Sequence, residues 1–226
     1  MKFTKRKFIF RTITLFVAFF VLFVKPEIIT NIPLIIKQLL WLLLMLEQLV
    51  VVFPKTNNKT PFGKLFSRHY KEVENYDKSK LLKESTIYNK RSVITFFLWI
   101  LMIYVIYLIY KINLIDDNHV FFLSVVFYFF DHFCINVWCP FHKILVRNKC
   151  CNTCRIFNWG HFMIYSPLIV INNNYYTTSL VLMALSVLIQ WEIQHYLYPQ
   201  RFYEISNENL KCSSCDIECR FTKKIV

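Results

Sequence analysis

The chain reads as an all-α, polytopic integral membrane protein: about six transmembrane helices with a cytoplasmic Cys-rich, metal-binding cap. Three observations carry that reading. Hydrophobic residues fill 56% of the 226 positions, gathered into runs near the roughly 20 residues that cross a bilayer as a helix. Charged residues are 18%, below the roughly 25% usual for soluble domains. The Lys and Arg residues fall on one side of successive apolar runs, as the positive-inside rule requires.

The first element opens with MKFTKRKFIFR, five basic residues, and continues as TITLFVAFFVLFV. These resemble the basic and apolar parts of a signal peptide. VKPEIIT then follows without a small-x-small cleavage site, so residues 8–24 are expected to stay as a first helix. The second element covers about 33–53, PLIIKQLLWLLLMLEQLVVVF, with Lys37 near one end and Glu47 near the other. Residues 54–92 are polar and basic; TNNKTPFGK reads as a loop and the remainder as short surface helices. The third run is 93–110, and a turn holding Asp116 and Asp117 leads to the fourth, 119–138. A fifth run spans about 156–171 and meets the turn NNN. The sixth covers about 176–198 and stops at Pro199, which cannot continue a helix easily. Four units result: two N-terminal transmembrane helices in 1–53, a basic cytoplasmic loop 54–92, a four-helix membrane core 93–198 with the Cys-rich loop 139–155, and a cytoplasmic Cys-containing tail 199–226.

Orientation follows from counting basic residues. The N-terminal segment has five, loop 54–92 ten, loop 139–155 four and the tail five, while Lys25, Lys37 and Lys111 lie elsewhere. Twenty-four of 27 therefore share a side. That places both termini and both cysteine clusters in the cytoplasm of a multi-pass cell-membrane protein. The same rule accounts for the formal charge of +13. No pattern for reading nucleic acid is present. Gly63 and Gly160 are the two glycines, too few for a Gly-rich phosphate cradle or a GxxxG packing motif.

All eight cysteines lie beyond residue 133. Seven form two clusters, Cys139, Cys150, Cys151 and Cys154 in CPFHKILVRNKCCNTC, and Cys212, Cys215 and Cys219 in CSSCDIEC. Reducing compartments disfavour structural disulfides, so clustered thiols on the cytoplasmic side point to metal or redox chemistry. A CxxC element lets two thiolates from one turn reach one ion about 2.3 Å away, and two elements close a tetrahedral site. Zinc or an iron–sulfur cluster suits thiolates, and such a site would clip the tail onto loop 139–155. CNTC also precedes the fifth run, where a helix N-terminus would lower thiol pKa, which keeps a dithiol function open. Cys134, inside the fourth run, reads as an inert buried thiol.

Ionisable groups within spans are costly and point to function. Asp131 and His132 lie about eight residues from Cys139, roughly 12 Å deep at 1.5 Å per residue. His161 lies near the cytoplasmic end of the fifth run. Glu192 and His195 form Glu-x-x-His on the sixth, facing one way at i, i+3, a spacing that also supplies ligands in dimetal helix bundles. Glu47 and Gln48 sit on the second. Candidate catalytic residues are therefore Asp131, His132, His161, Glu192 and His195, binding metal or moving protons, with Glu47 as a further carboxylate. His69, His119 and His142 read as solvated. The expected function is a membrane-embedded metal-binding protein acting on a lipid, isoprenoid or quinone-like molecule from the cytoplasmic leaflet. A small transporter and a structural subunit with a zinc-stapled tail are the alternatives.

Overall fold

A computed structural model describes residues 2–53, 64, 70–148, 153–171 and 174–211. Seven α-helices follow in order: α1 (Lys2–Phe23), α2 (Glu27–Asn31), α3 (Leu34–Val52), α4 (Lys78–Lys111), α5 (Asp117–Asn136), α6 (Gly160–Tyr165) and α7 (Tyr175–Leu197). No strand occurs among the described residues; the isolated bridge between Glu72 and Asn207 is the one extended pairing found there.

Four helices, α3, α4, α5 and α7, are long and apolar enough to cross a membrane. At 1.5 Å per residue the 19 residues of α3 and the 20 of α5 span about 28 and 30 Å, the thickness of a hydrocarbon core. Their starts are written locally. The Asp77 carboxylate accepts from the amides of Ser79 and Lys80 to open α4, Asp116 accepts from His119 to open α5, and Asn174 accepts from Tyr176 to open α7. Each satisfies helix-start amides that have no partner within the helix. α4 differs from expectation in running unbroken for 34 residues. KSKLLKESTIYNKR contains no Gly or Pro and is rich in good helix formers, so nothing separates a surface helix from the span behind it.

The described apolar surface is turned outward. Phe16 is 68% exposed, Leu43 62% and Phe97 66%, positions that would contact lipid chains if the helices cross a bilayer. Burial is concentrated instead on the run 156–170. That run is three pieces: a 3-10 turn at Ile156–Trp159, α6, and a second 3-10 turn at Ser166–Val170. Pro167 lacks the amide an α-helix would use there. Met163, Ile164, Tyr165, Leu168 and Val170 are all buried, and α4, α5 and α7 pack around them. α1 lies along α5, and α3 along α7.

The described part of the tail docks on residues 71–73. Val73 N donates to Ser206 O at 3.1 Å, Glu208 N to Lys71 O at 2.8 Å, and Lys71 Nζ pairs with Glu208 at 2.7 Å. Cys150, Cys151, Cys212, Cys215 and Cys219 lie outside the described residues.

Candidate functional site: two chambers sharing one wall

Two chambers meet where α5 packs on the 156–170 run. Asp131, Ile135, Phe157, Gly160 and Ile164 line both. The wall is thin because residue 160 is glycine. A Cβ there would stand 2.8 Å from Asp131 Oδ1, closer than real contacts allow, so Gly160 lets the carboxylate lie directly against the backbone.

The polar chamber, about 140 Å³, is bordered by Arg11, Glu47, Asp131, His132 and His161. Arg11 rises from the basic head of α1 and is 5% exposed. Its Nη1 donates to Asp131 Oδ2 at 2.5 Å and to the Tyr128 carbonyl at 2.8 Å. Its Nη2 stands 3.8 Å from Glu47 Oε1, and its guanidinium lies 3.8 Å over the Tyr128 ring. One cation thus serves two carboxylates from two other helices. Both ring nitrogens of His132 and Nδ1 of His161 are buried with no hydrogen-bond partner among the described residues. Buried polar atoms without partners are rare and call for water, an ion or a chemical role.

The apolar chamber is larger, about 270 Å³. Trp99, Phe127, Phe130, Phe141, Met163 and Ile164 form most of its surface. Three thiols outside any disulfide stand in its wall, Cys134, Cys139 and Cys154. Cys134 is in hydrogen-bonding contact with Cys139, and Cys139 Sγ accepts from His142 N at 3.4 Å. Cys154 is 3% exposed, and burial pushes its thiol up to about 11. His142, expected in solvent, is 3% exposed and lines the same chamber. Trp99 satisfies its indole N–H with Ser166 Oγ at 3.0 Å, leaving the ring face as apolar lining. Phe130 lines the chamber yet is 44% exposed, so this wall reaches the outer surface of the bundle.

Glu192 and His195 stand apart from both chambers. Glu192 accepts from Arg155 through both carboxylate oxygens, Nε to Oε1 at 3.1 Å and Nη2 to Oε2. It also accepts from Trp159 Nε1 at 2.7 Å, and Arg155 spends its remaining reach on Asn89 Oδ1 at 2.8 Å. His195 is buried, its Nε2 lying 3.2 Å from Tyr203 Oη, with the Phe202 ring against it. The structure therefore brings together Asp131, His132, His161 and Glu47, and leaves Glu192 and His195 in a separate, well-partnered clip.

Sequence reasoning missed Arg11, Cys134 and His142 at these chambers. Arg11 carried a signal, since it lies within the span read as 8–24 rather than ahead of it. Cys134 and Cys139 carried another: a five-residue separation across a helix end folds the chain back on itself.

Among the described residues no group of three or more His, Cys, Asp or Glu converges as a metal site. Only Cys139 and Cys154 of the seven clustered cysteines fall within them. Compared with known proteins, the chain matches no family model, no curated protein and no solved structure.

Proposed function

We propose that this is a multi-pass membrane protein that takes a lipid-soluble ring compound, isoprenoid or quinone-like, into the apolar chamber from the cytoplasmic leaflet. Asp131, His132 and His161 handle protons at the chamber's polar side. The observation that carries the reading is the shared wall: one carboxylate, Asp131, borders both an apolar chamber and a polar one. An apolar cavity of about 150 Å³ is enough to bind benzene, so about 270 Å³ accommodates a ring with part of a tail. Lipid-soluble molecules would reach it past Phe130 without crossing water. The cytoplasmic orientation rests on the 24 of 27 basic residues that sort to one side, with α1 and the 156–170 run completing six crossings. A zinc or iron–sulfur cap is proposed for the clustered cysteines, chiefly Cys150, Cys151, Cys212, Cys215 and Cys219. Thiolates there would supply soft ligands, and the bound metal would add folding energy to a short tail.

Trp99 offers the test, because its ring faces the chamber. A short-chain benzoquinone added to the purified full chain in detergent should quench tryptophan fluorescence saturably. The saturable part should disappear in Trp99→Phe, while melting behaviour stays close to that of the parent. Quenching that rises linearly with quinone, identical in both proteins, is partitioning into the micelle and overturns the reading.

A further inference from the structure

We infer that Cys134 and Cys139 are a redox-active dithiol that passes two electrons to a quinone-class acceptor seated in the apolar chamber. The inference rests on the reading of that chamber as a seat for a lipid-soluble ring, and it names the reaction the seat would serve.

The placement of the two thiols is the argument. Cys134 stands on the last turn of α5, which ends at Asn136. The chain then turns at Val137, which leaves the helical region with φ −120° and ψ −69°. Pro140 leads into the next helical turn, Phe141–Val146. Residue 139 is carried back toward residue 134, within hydrogen-bonding reach of its thiol. Both lie in the chamber wall, facing a volume lined by aromatic rings. The His142 amide directed at Cys139 Sγ steadies negative charge on that sulfur, as hydrogen bonds to ionised acceptors do. A merely structural pair of buried thiols has no need of an open volume in front of it. Packing normally fills such space in a protein interior.

The step balances with the quinone as its only co-reactant. Two S–H bonds break and one S–S bond forms. The two electrons and two protons released reduce the quinone to the hydroquinone. A disulfide of this kind is the transient, catalytic sort found in reducing compartments. Its formation withdraws Cys139 from any metal site, so the cap would be left to the remaining six clustered cysteines.

The test uses the full chain, reduced, freed of reductant and mixed with a short-chain benzoquinone under argon. Three quantities are read: the Trp99 quench, hydroquinone formed per protein, and which cysteines resist alkylation until reduced. Quench together with one hydroquinone per chain and a Cys134–Cys139 disulfide is expected. Cys134→Ser and Cys139→Ser should lose hydroquinone formation and keep the quench. Quench with Cys134 and Cys139 still open to alkylation overturns the dithiol and leaves the chamber reading standing. Neither quench nor disulfide overturns both. Equal hydroquinone from the Cys134→Ser protein overturns the pairing. Should either serine variant fail to fold, the alkylation map of the parent chain decides by itself.

Discussion

Two arginine–carboxylate pairs hold this bundle, and they are built in opposite ways. Arg155 and Glu192 are complete: two guanidinium bonds, an indole N–H and an amide oxygen account for the groups at that junction. Arg11 is shared between Asp131 and Glu47, one cation for two carboxylates, and both ring nitrogens of His132 and Nδ1 of His161 lack partners among the described residues. In the first arrangement both carboxylate oxygens and the guanidinium already have protein partners. The second has three titratable neighbours, an imbalance of charge and a chamber of about 140 Å³. A buried polar network that is fully satisfied rigidifies, while one left partly open is expensive unless something uses it. Ion pairing alone therefore does not mark a functional residue in this protein. The unspent hydrogen-bonding capacity around the pair does.

The comparison breaks most directly by removing each arginine. Arg155→Met strips Glu192 of its cation and leaves Asn89 without its donor. Breaking a buried pair from one side costs about 3–5 kcal/mol, and part-exposure at Glu192 puts this one near the lower end. A double variant, Arg155→Met with Glu192→Leu, should recover most of the loss. Arg11→Met should cost less, because the chamber of about 140 Å³ beside Asp131 and Glu47 leaves room for solvent to reach the two carboxylates. Thermal melting of the purified variants ranks them. If Arg11→Met proves the more damaging, the polar chamber is a structural joint and the contrast collapses.

A smaller effect on the fold is expected at His132, with a larger one on function. Neither of its ring nitrogens makes a hydrogen bond among the described residues, so His132→Leu removes no bond and relieves an unpaired buried group. The melting temperature should hold or rise. A strain lacking the native gene should nevertheless fail to be complemented by this variant. Full complementation would show the chamber to be idle.

Much of this was legible in the residue order. Long apolar runs and basic flanks placed α3, α4, α5 and α7. The rarity of charge inside spans drew attention to Asp131, His132 and Glu47, and the position of His161 at a run's start did the same. The remainder depended on packing. Arg11 reads as a topogenic charge, since nothing local says that α1 turns it inward onto α5. Cys134 reads as a lone apolar thiol until the backward turn through residues 137–139 brings Cys139 to it. Glu192 and His195 share a helix face, as i, i+3 requires. That face meets Arg155, Trp159 and Tyr203 rather than the other histidines, a fact of helix rotation that periodicity does not carry. The fifth run is apolar enough to suggest a plain helix, but Pro167 and the chain's return at 171 divide it into three short pieces.

The smallest expected effect lies at a third carboxylate, Asp77, which separates the influence of partners from that of burial. Like Glu192 it has a full set of donors, the Ser79 hydroxyl at 2.8 Å and the amides of Ser79 and Lys80 at 2.8 and 3.2 Å. Unlike Glu192 it lies outside the apolar part of its helix and in contact with water. The Ser79 hydroxyl, followed by the two backbone amides, holds its carboxyl below the ordinary value of 3.8. A carboxyl with a depressed folded-state pKa stabilises the fold fully above its unfolded value, and that contribution fades as pH falls through the folded one. Asp77→Ala should therefore melt slightly earlier than the parent at neutral pH, and the gap should close as the solution is taken below the ordinary aspartate range. Asp77→Asn should show a smaller gap, since an amide oxygen still caps the helix. A gap that is independent of pH would mean that the side chain acts through its shape rather than its charge. Satisfaction of donors would then say nothing about energetics at the exposed end of α4. The contrast between Arg155–Glu192 and Arg11–Asp131 would then have to be read as one of burial.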